Sequence, residues 1–298
     1  MASIGAPIAK TLIVTADDFG LSNEVNEAVE RGHLDGILSA ASLMVGAPAS
    51  DDAVARAREL PKLGVGLHVT LLDGRPVLPP AEIPGLVAPD GRFFTDPVRF
   101  GIALYFSAEL RRQAHAEIEA QFRRFGETGL VLDHINGHKH FHLHPVVLET
   151  ILSIAPNFGS PPIRVPFEPF AASFASVKDR ALGRFASAGF YFLQTRRLLR
   201  KLQRAGISAN DYVFGLNDSG AMTEQLMLNF IEHLPPGVTE LYCHPAMSRW
   251  DGADNLPEDY QPVEEFRALV SPAVKAKLAA SNLRPQSFRV AAGKRFAS

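Results

Sequence analysis

Leu12-Ile13-Val14-Thr15-Ala16-Asp17-Asp18-Phe19-Gly20 is the stretch on which the reading of this chain turns. Residues of strand character run straight into two adjacent carboxylates. Gly20 follows, and then Ser22, a good N-cap for a helix that starts there. A strand that feeds a helix through a short polar turn is the unit of a parallel α/β sheet. Two neighbouring acids at the C-terminal end of a buried strand repel each other and add nothing to a core. They fit two readings. Either both are drawn to the positive end of a helix dipole, or one serves a metal and the other is a base.

The same alternation recurs along the chain. Apolar, β-branched runs lie at Thr11–Ala16, Ser39–Val45, Val65–Thr70, Val131–Asn136, Ile163–Val165, Tyr212–Leu216, Thr239–Cys243 and Ser287–Val290. Most are separated by about 10–20 residues of helical periodicity. Eight such runs predict an α/β fold of the (β/α)-barrel type, whose active sites form where the strand C-termini converge. A length of 298 residues allows two domains, but a barrel uses it as one, so a single domain over 1–298 is expected. Two insertions interrupt it, near 72–107 and 176–208. Leu72–Ser107 is rich in Pro and Gly, then in aromatics (Phe93, Phe94, Phe100, Tyr105, Phe106). Lys178–Arg204 carries eight basic residues against one acid, Asp179, around an apolar centre at Phe190–Leu193. Its default reading is a crossover helix with a solvated basic face. The alternative is a basic amphipathic surface that makes peripheral contact with an anionic membrane.

Composition excludes several classes. Apolar residues are 46% and charged residues 21%, too apolar for a disordered chain. A net charge of -2 gives no support to a nucleic-acid partner. One cysteine leaves no disulfide framework and no cysteine zinc site. No apolar run is long enough to cross a membrane. Met1–Lys10 lacks the pattern of a secretory signal, so a cytoplasmic protein is expected.

The remaining chemistry lies in three short segments. His68 sits in the strand-like Gly66-Leu67-His68-Val69. His134, His138, His140, His142 and His144 place five of the ten histidines within eleven residues. Imidazole is the commonest metal ligand, so this run is a strong metal signal. Alternation alone would put the last four on one side of an extended segment. Gly137, however, suits a strand end, and Pro145 suits the first position of a helix, so the four need not share one site. His244 follows Cys243 past another strand, and Cys243 is expected to face away as a buried apolar residue. Arg164, inside an apolar strand, needs either a substrate oxygen or a structural carboxylate partner. Acids and histidines without cysteine make an open hydrolytic metal site.

Thr15-Ala16-Asp17-Asp18-Phe19-Gly20-Leu21-Ser22, Gly66-Leu67-His68, Gly137-His138-Lys139-His140 and Cys243-His244-Pro245 together resemble the YdjC-like carbohydrate deacetylases. The resemblance implies a distorted, TIM-like barrel and a metal-dependent hydrolase that removes the acetyl group from an N-acetylated amino sugar of the N-acetylglucosamine type. It assigns Asp18, His68 and His138 to one divalent ion, Zn or Mg. It makes Asp17 the general base and His244 the acid for the leaving amine. Arg164 and His140 are the candidate substrate contacts. Where the family often has Asp this chain has Asn136, which carries no charge; Asp133 is the candidate to replace it. The Asn136–His140 run and the aromatic insertion are most similar to the hopanoid-biosynthesis-associated branch, which implies an amino sugar on a triterpenoid lipid. The competing functions are a deacetylase of soluble chito-oligosaccharides, a metal-dependent phosphoesterase and a non-catalytic glycolipid binder.

Overall fold

A computed structural model describes residues 9–251 and 256–296, with side chains up to residue 293. The signal-peptide reading of Met1–Lys10 therefore falls almost wholly outside the described residues. Six parallel strands form one sheet: β1 (Lys10–Phe19), β2 (Ala40–Leu43), β3 (Gly64–Val69), β4 (Ile135–Gly137), β5 (Tyr212–Phe214) and β6 (Gly237–Cys243). Their order is β4-β3-β2-β1-β6-β5, so the first and last of these strands pair with each other inside the sheet. The central strands are buried on both faces, which is why they read as continuous apolar runs and not as alternating ones. Leu12 and Val14 of β1 are wholly buried; each such side chain contributes about 1.5–3 kcal/mol on leaving water.

The sheet curls into a half-barrel surrounded by helices. α1 (Asn23–Leu34) and α2 (Ser50–Arg58) follow β1 and β2. α3 (Pro97–Phe106) and α4 (Ala108–Glu127) follow β3. α5 (Pro145–Ile154), α6 (Phe170–Val177) and α7 (Ala181–Ala205) lie between β4 and β5. α8 (Glu224–Glu232) precedes β6, and α9 (Pro262–Val270), α10 (Pro272–Ala280) and α11 (Phe288–Phe296) complete the chain.

Two of the eight expected strands are not strands. Ile163–Val165 makes only a single parallel bridge, Ile163 to Ile135. Backbone bonds nevertheless run through it from one sheet edge to the other: Arg164 N–H donates to Ile135, Ile163 N–H to Ser208, and Val213 N–H to Phe167. Ser287–Val290 is a helix start, the beginning of α11. Its first amides, Phe288 and Arg289, both donate to the Asp133 carboxylate, which caps them and favours helix over strand. The Val131–Asn136 run shortens to β4, though Asp133 N–H and the His134 carbonyl already bond to Val65 and Leu67 of β3.

The first insertion is ordered by its own helix and by α4. Asp96 caps α3 and Ser107 caps α4. Buried Glu117 of α4 accepts the Val77 and Leu78 amides. The second insertion is largely α7, 25 residues long. Its inner face is Arg184, Thr195, Leu198 and Leu202, and Arg184 is held by Asp218, Asp179 and Glu168. No helix among the described residues is long and apolar enough to cross a membrane.

Candidate active site

Successive side chains of a regular strand point to opposite faces, so Asp17 and Asp18 should diverge. The chain prevents this with a bulge. Ala16 pairs with Ala41 and Phe19 with Leu43, so β1 carries one more residue than β2 over that interval. Asp18 absorbs the extra residue at φ 63, a left-handed conformation that Asp tolerates better than most residues. Gly20, at φ 96, then passes within 3.2 Å (measured from where a Cβ would sit) of the Met44 carbonyl, a place only glycine fits. Ser22 accepts the Val25 amide and starts α1, as its position predicts. Both carboxylates therefore line one cavity.

Asp18 meets two histidines from neighbouring strands. Its Oδ1 lies 3.0 Å from His138 Nδ1 and 3.3 Å from His68 Nε2. One ligand atom from each of the three residues falls within 4.8 Å of the others. His68 Nδ1 is 2.7 Å from Asn136 Oδ1, so it carries the proton and leaves Nε2 free to ligate. Burial pushes the Asp18 carboxyl up, but His138 and His68 outweigh it and hold it well below the usual carboxylate range. Burial pushes His68 down, yet Asp17 and Asp18 pull its proton affinity up. The cluster thus draws positive charge inward. Two imidazoles and a carboxylate, open to a cavity on one side, suit a divalent ion, with Zn²⁺ favoured by the nitrogen donors.

Arg164 does not line the cavity. It lies fully buried behind Asp17, and its guanidinium spans Asp17 and Glu240. Nη2 donates to Asp17 Oδ1 at 2.9 Å and Nε to Glu240 Oε2 at 2.9 Å, and the plane lies over the Tyr242 ring. Of its two expected partners it has taken the carboxylates and not a substrate oxygen. Burial raises the Asp17 pKa, but Arg164 overrides it and keeps Asp17 ionised far below its ordinary value. Asn136 Nδ2 also donates to Asp17 Oδ1 and to Ser42 Oγ. Neutral Asn136 therefore serves both acid and histidine with one amide. Asp133 does not replace it, being engaged with His134 and α11.

The five-histidine run divides. A tight turn, with Lys139 and His140 both at left-handed φ, follows β4 and breaks the expected alternation. His138 and His140 line the cavity. His142 Nε2 bonds the Arg164 carbonyl and His144 Nε2 the Gly101 carbonyl. His144 also precedes Pro145 at the first position of α5, as expected. His134 is in the core, stacked on Phe288 at 4.3 Å. His140 Nε2 is 3.3 Å from the Tyr242 hydroxyl, and burial followed by Arg164 pushes its pKa well down.

His244 enters from the end of β6. Its ring packs 5.0 Å from Tyr260, and its Nδ1 has no hydrogen-bond partner among the described residues. Burial lowers its proton affinity, with Asp18 and Asp17 opposing. Cys243 faces away, buried, with its thiol on the Thr15 carbonyl.

The cavity has a volume of about 560 Å³. Sequence reasoning missed part of its wall: Tyr191 of α7, Tyr260, Ser219, and an ion pair of Lys139 with Asp73 at its rim. Nothing in their spacing marks them, because they come from insertions and loops. A larger cavity, about 870 Å³, opens at the N-terminal ends of β2 and β3 beside Ser39, Gly64 and Lys275, away from the Asp18 cluster.

Residues 11–280, which include every candidate above, match the family model described as YdjC-like protein. The chain belongs to the YdjC-like family. A Geobacillus stearothermophilus protein named carbohydrate deacetylase is 30% identical to this YdjC-like chain over 278 residues, 93% of this chain and 96% of that protein. A Mus musculus protein of the same name is 29% identical over 290 residues, 92% of each. A Brevibacillus brevis carbohydrate deacetylase is 39% identical over 156 residues, which spans 52% of this chain and 59% of that protein. The solved structure of an Enterococcus faecalis V583 protein, named for cellobiose-phosphate cleavage, covers 95% of the YdjC-like chain and 99% of its own. Its TM-score is 0.70 at 22% identity, a likeness of fold alone.

Proposed function

We propose that the protein is a metal-dependent carbohydrate deacetylase that hydrolyses the N-acetyl group of an amino sugar of the N-acetylglucosamine type. One observation carries the reading. Asp18, His68 and His138 bring three ligand atoms together in the same cavity as Asp17 and His244. The names of the full-length relatives agree with it.

Acetamides resist hydrolysis because the carbonyl is a poor electrophile and the amine a poor leaving group. A divalent ion held by Asp18, His68 and His138, Zn²⁺ or Mg²⁺, would supply acidity to water and polarise the acetyl oxygen. Asp17 takes the proton of the attacking water. Arg164 and Asn136 fix that carboxylate in place and ionised, at the expense of some basicity. His244 donates to the amine nitrogen as the C–N bond breaks. Its buried ring gives up a proton readily, because burial disfavours the charged form. Tyr191 and Tyr260 offer aromatic faces to a sugar ring, and His140 with Tyr242 offers polar edges.

The finer part of the proposal is that the sugar is carried on a hopanoid-type lipid. It is supported by the similarity of Asn136–His140 and of the aromatic insertion to that branch of the family. The test is amine release from free N-acetylglucosamine, chito-oligosaccharides and a sugar joined to a hydrophobic tail, with Zn²⁺ or Mg²⁺ added. Turnover of the tailed sugar alone is expected. Turnover of chito-oligosaccharides instead would keep the chemistry and remove the lipid. No turnover of any, with metal bound, would return the site to phosphate esters or to binding without catalysis.

A further inference from the structure

Ten of the thirteen large apolar side chains exposed among the described residues lie in two short stretches. Phe94, Val98, Ile102, Tyr105 and Phe106 belong to or abut α3. Leu182, Phe185, Phe190, Phe192 and Leu193 belong to α7. Scattered exposed apolar residues need no explanation, but such concentration does.

The two helices flank one feature. The turn at His138–Leu143 carries Phe141, which stacks on Phe100 of α3 at 5.5 Å, and His140, whose ring lies 6.5 Å from Tyr191 of α7. Thr95, just before α3, and Tyr191 both line the catalytic cavity. The exposed apolar faces therefore border its mouth on two sides.

Charge completes the pattern. α7 contains no acidic residue. Beyond its exposed Phe and Leu, the same outward side continues with Arg196, Arg197, Arg200 and Arg204, all exposed. Arg196 lies over the Phe192 ring at the junction. An apolar stretch that passes into an arginine-rich stretch matches the depth profile of an anionic bilayer, with acyl chains inside and phosphates outside. A lipid surface also accepts convex helix faces that offer no groove.

We propose that the outer faces of α3 and α7 dock the protein on an anionic membrane, with the cavity mouth at the lipid surface. This deepens the deacetylase reading by naming the surface on which that site would meet its substrate. The docking argument itself stands on exposure and charge.

Purified full-length protein tests it by co-sedimentation with vesicles of phosphatidylcholine, with and without phosphatidylglycerol. Binding is expected only with phosphatidylglycerol, and it should fall as salt screens the charge. Arg196→Gln, Arg197→Gln and Arg200→Gln together should weaken it about a hundredfold. Phe106→Gln, Leu182→Gln and Leu193→Gln together should weaken it at least about tenfold. Both variants should keep deacetylation of the hydrophobic-tailed N-acetylated sugar when it is presented in detergent solution without vesicles. No vesicle binding, or binding that neither variant weakens, overturns the proposal. A dimer dissolved by the apolar variant, with no vesicle binding, overturns it in favour of a protein partner. Vesicle binding with no deacetylation of any sugar leaves the surface standing and removes the deacetylase reading.

Discussion

Two Asp–His pairs among the described residues have nearly equal geometry and very different surroundings. Asp133 Oδ2 lies 3.1 Å from His134 Nδ1 at the N-terminal end of the half-barrel. Asp18 Oδ1 lies 3.0 Å from His138 Nδ1 at the C-terminal end. Asp133 spends its remaining capacity on the Phe288 and Arg289 amides, and His134 spends its other nitrogen on Ser42. That pair is closed. Asp18 meets a second histidine, His68, and faces a cavity. Its leftover capacity points at space. What satisfies the rest of each group, and not the pair itself, sets the two apart.

The largest expected effect separates them directly. Asp18→Ala should abolish metal binding and lower deacetylation by more than about a thousandfold, with little change in melting temperature. Asp133→Ala should do the reverse. It leaves His134 and two helix amides unpaired in the core, so stability should fall by about 3 kcal/mol. For a chain of this size that is a melting temperature lower by roughly 5 °C. Its metal content should stay at the wild-type level. Metal analysis and calorimetry on both variants decide the matter, and metal lost from Asp133→Ala would erase the distinction.

Next come the groups that would move protons. His244→Ala should cost about 10²–10⁴ in turnover and leave the metal bound. Asp17→Asn should likewise keep the metal and lose turnover. If metal leaves with Asp17 and remains with Asp18→Ala, the two adjacent acids exchange roles.

How much of this was legible follows the same line. The acids of β1, the three candidate ligands and His244 stand at strand ends, and strand ends are marked by apolar runs. Six of the eight runs became strands. Ser287–Val290 misled because its Phe-Arg-Val alternation matches a strand period, while the capping carboxylate that makes it a helix sits at Asp133, far away in sequence. Arg164 was legible as a buried cation in need of a partner. Its choice of carboxylates over substrate depends on Glu240, 76 positions away. The bulge that turns Asp17 and Asp18 the same way has no signature except the dipeptide itself. Tyr191 and Tyr260 reach the cavity from an insertion and a loop, where periodicity says nothing.

A smaller effect probes the link between the pairs. Ser42 Oγ lies 3.0 Å from His134 Nε2 and 2.8 Å from Asn136 Nδ2, so one hydroxyl joins the closed pair to the amide that holds Asp17 and His68. Ser42→Ala leaves two buried polar groups short of a partner, for about 1–2 kcal/mol. It should lower turnover only a few-fold, because Asn136 keeps its bonds to His68 and Asp17. A loss as large as that of Asp17→Asn would mean that Ser42, and not Arg164, fixes the carboxylate.

The smallest effect is a matter of pH, and its sign distinguishes a held carboxylate from a merely buried one. Burial alone would raise the Asp133 pKa, but His134, Ser287 and the Arg289 amide outweigh it and bring it below the ordinary 3.8. The unfolded chain therefore takes up this proton before the folded protein does. Stability from Asp133 is complete above about pH 4 and is lost as the pH falls below it, with a slope of at most about 1.4 kcal/mol per pH unit for one proton. Asp17 and Asp18 are depressed too and add to the same acid limb, so the wild-type slope alone assigns nothing. The difference between wild type and Asp133→Asn does assign it. Asn resembles the protonated acid, so the gap between their denaturation midpoints should be widest near neutrality and close on acidification. A gap that moved the other way, with wild type gaining on Asp133→Asn as the pH falls, would mean that Asp133 is already protonated in the fold. The α11 cap and His134 would then be held by a neutral group, and the two Asp–His pairs would differ in charge as well as in what completes them.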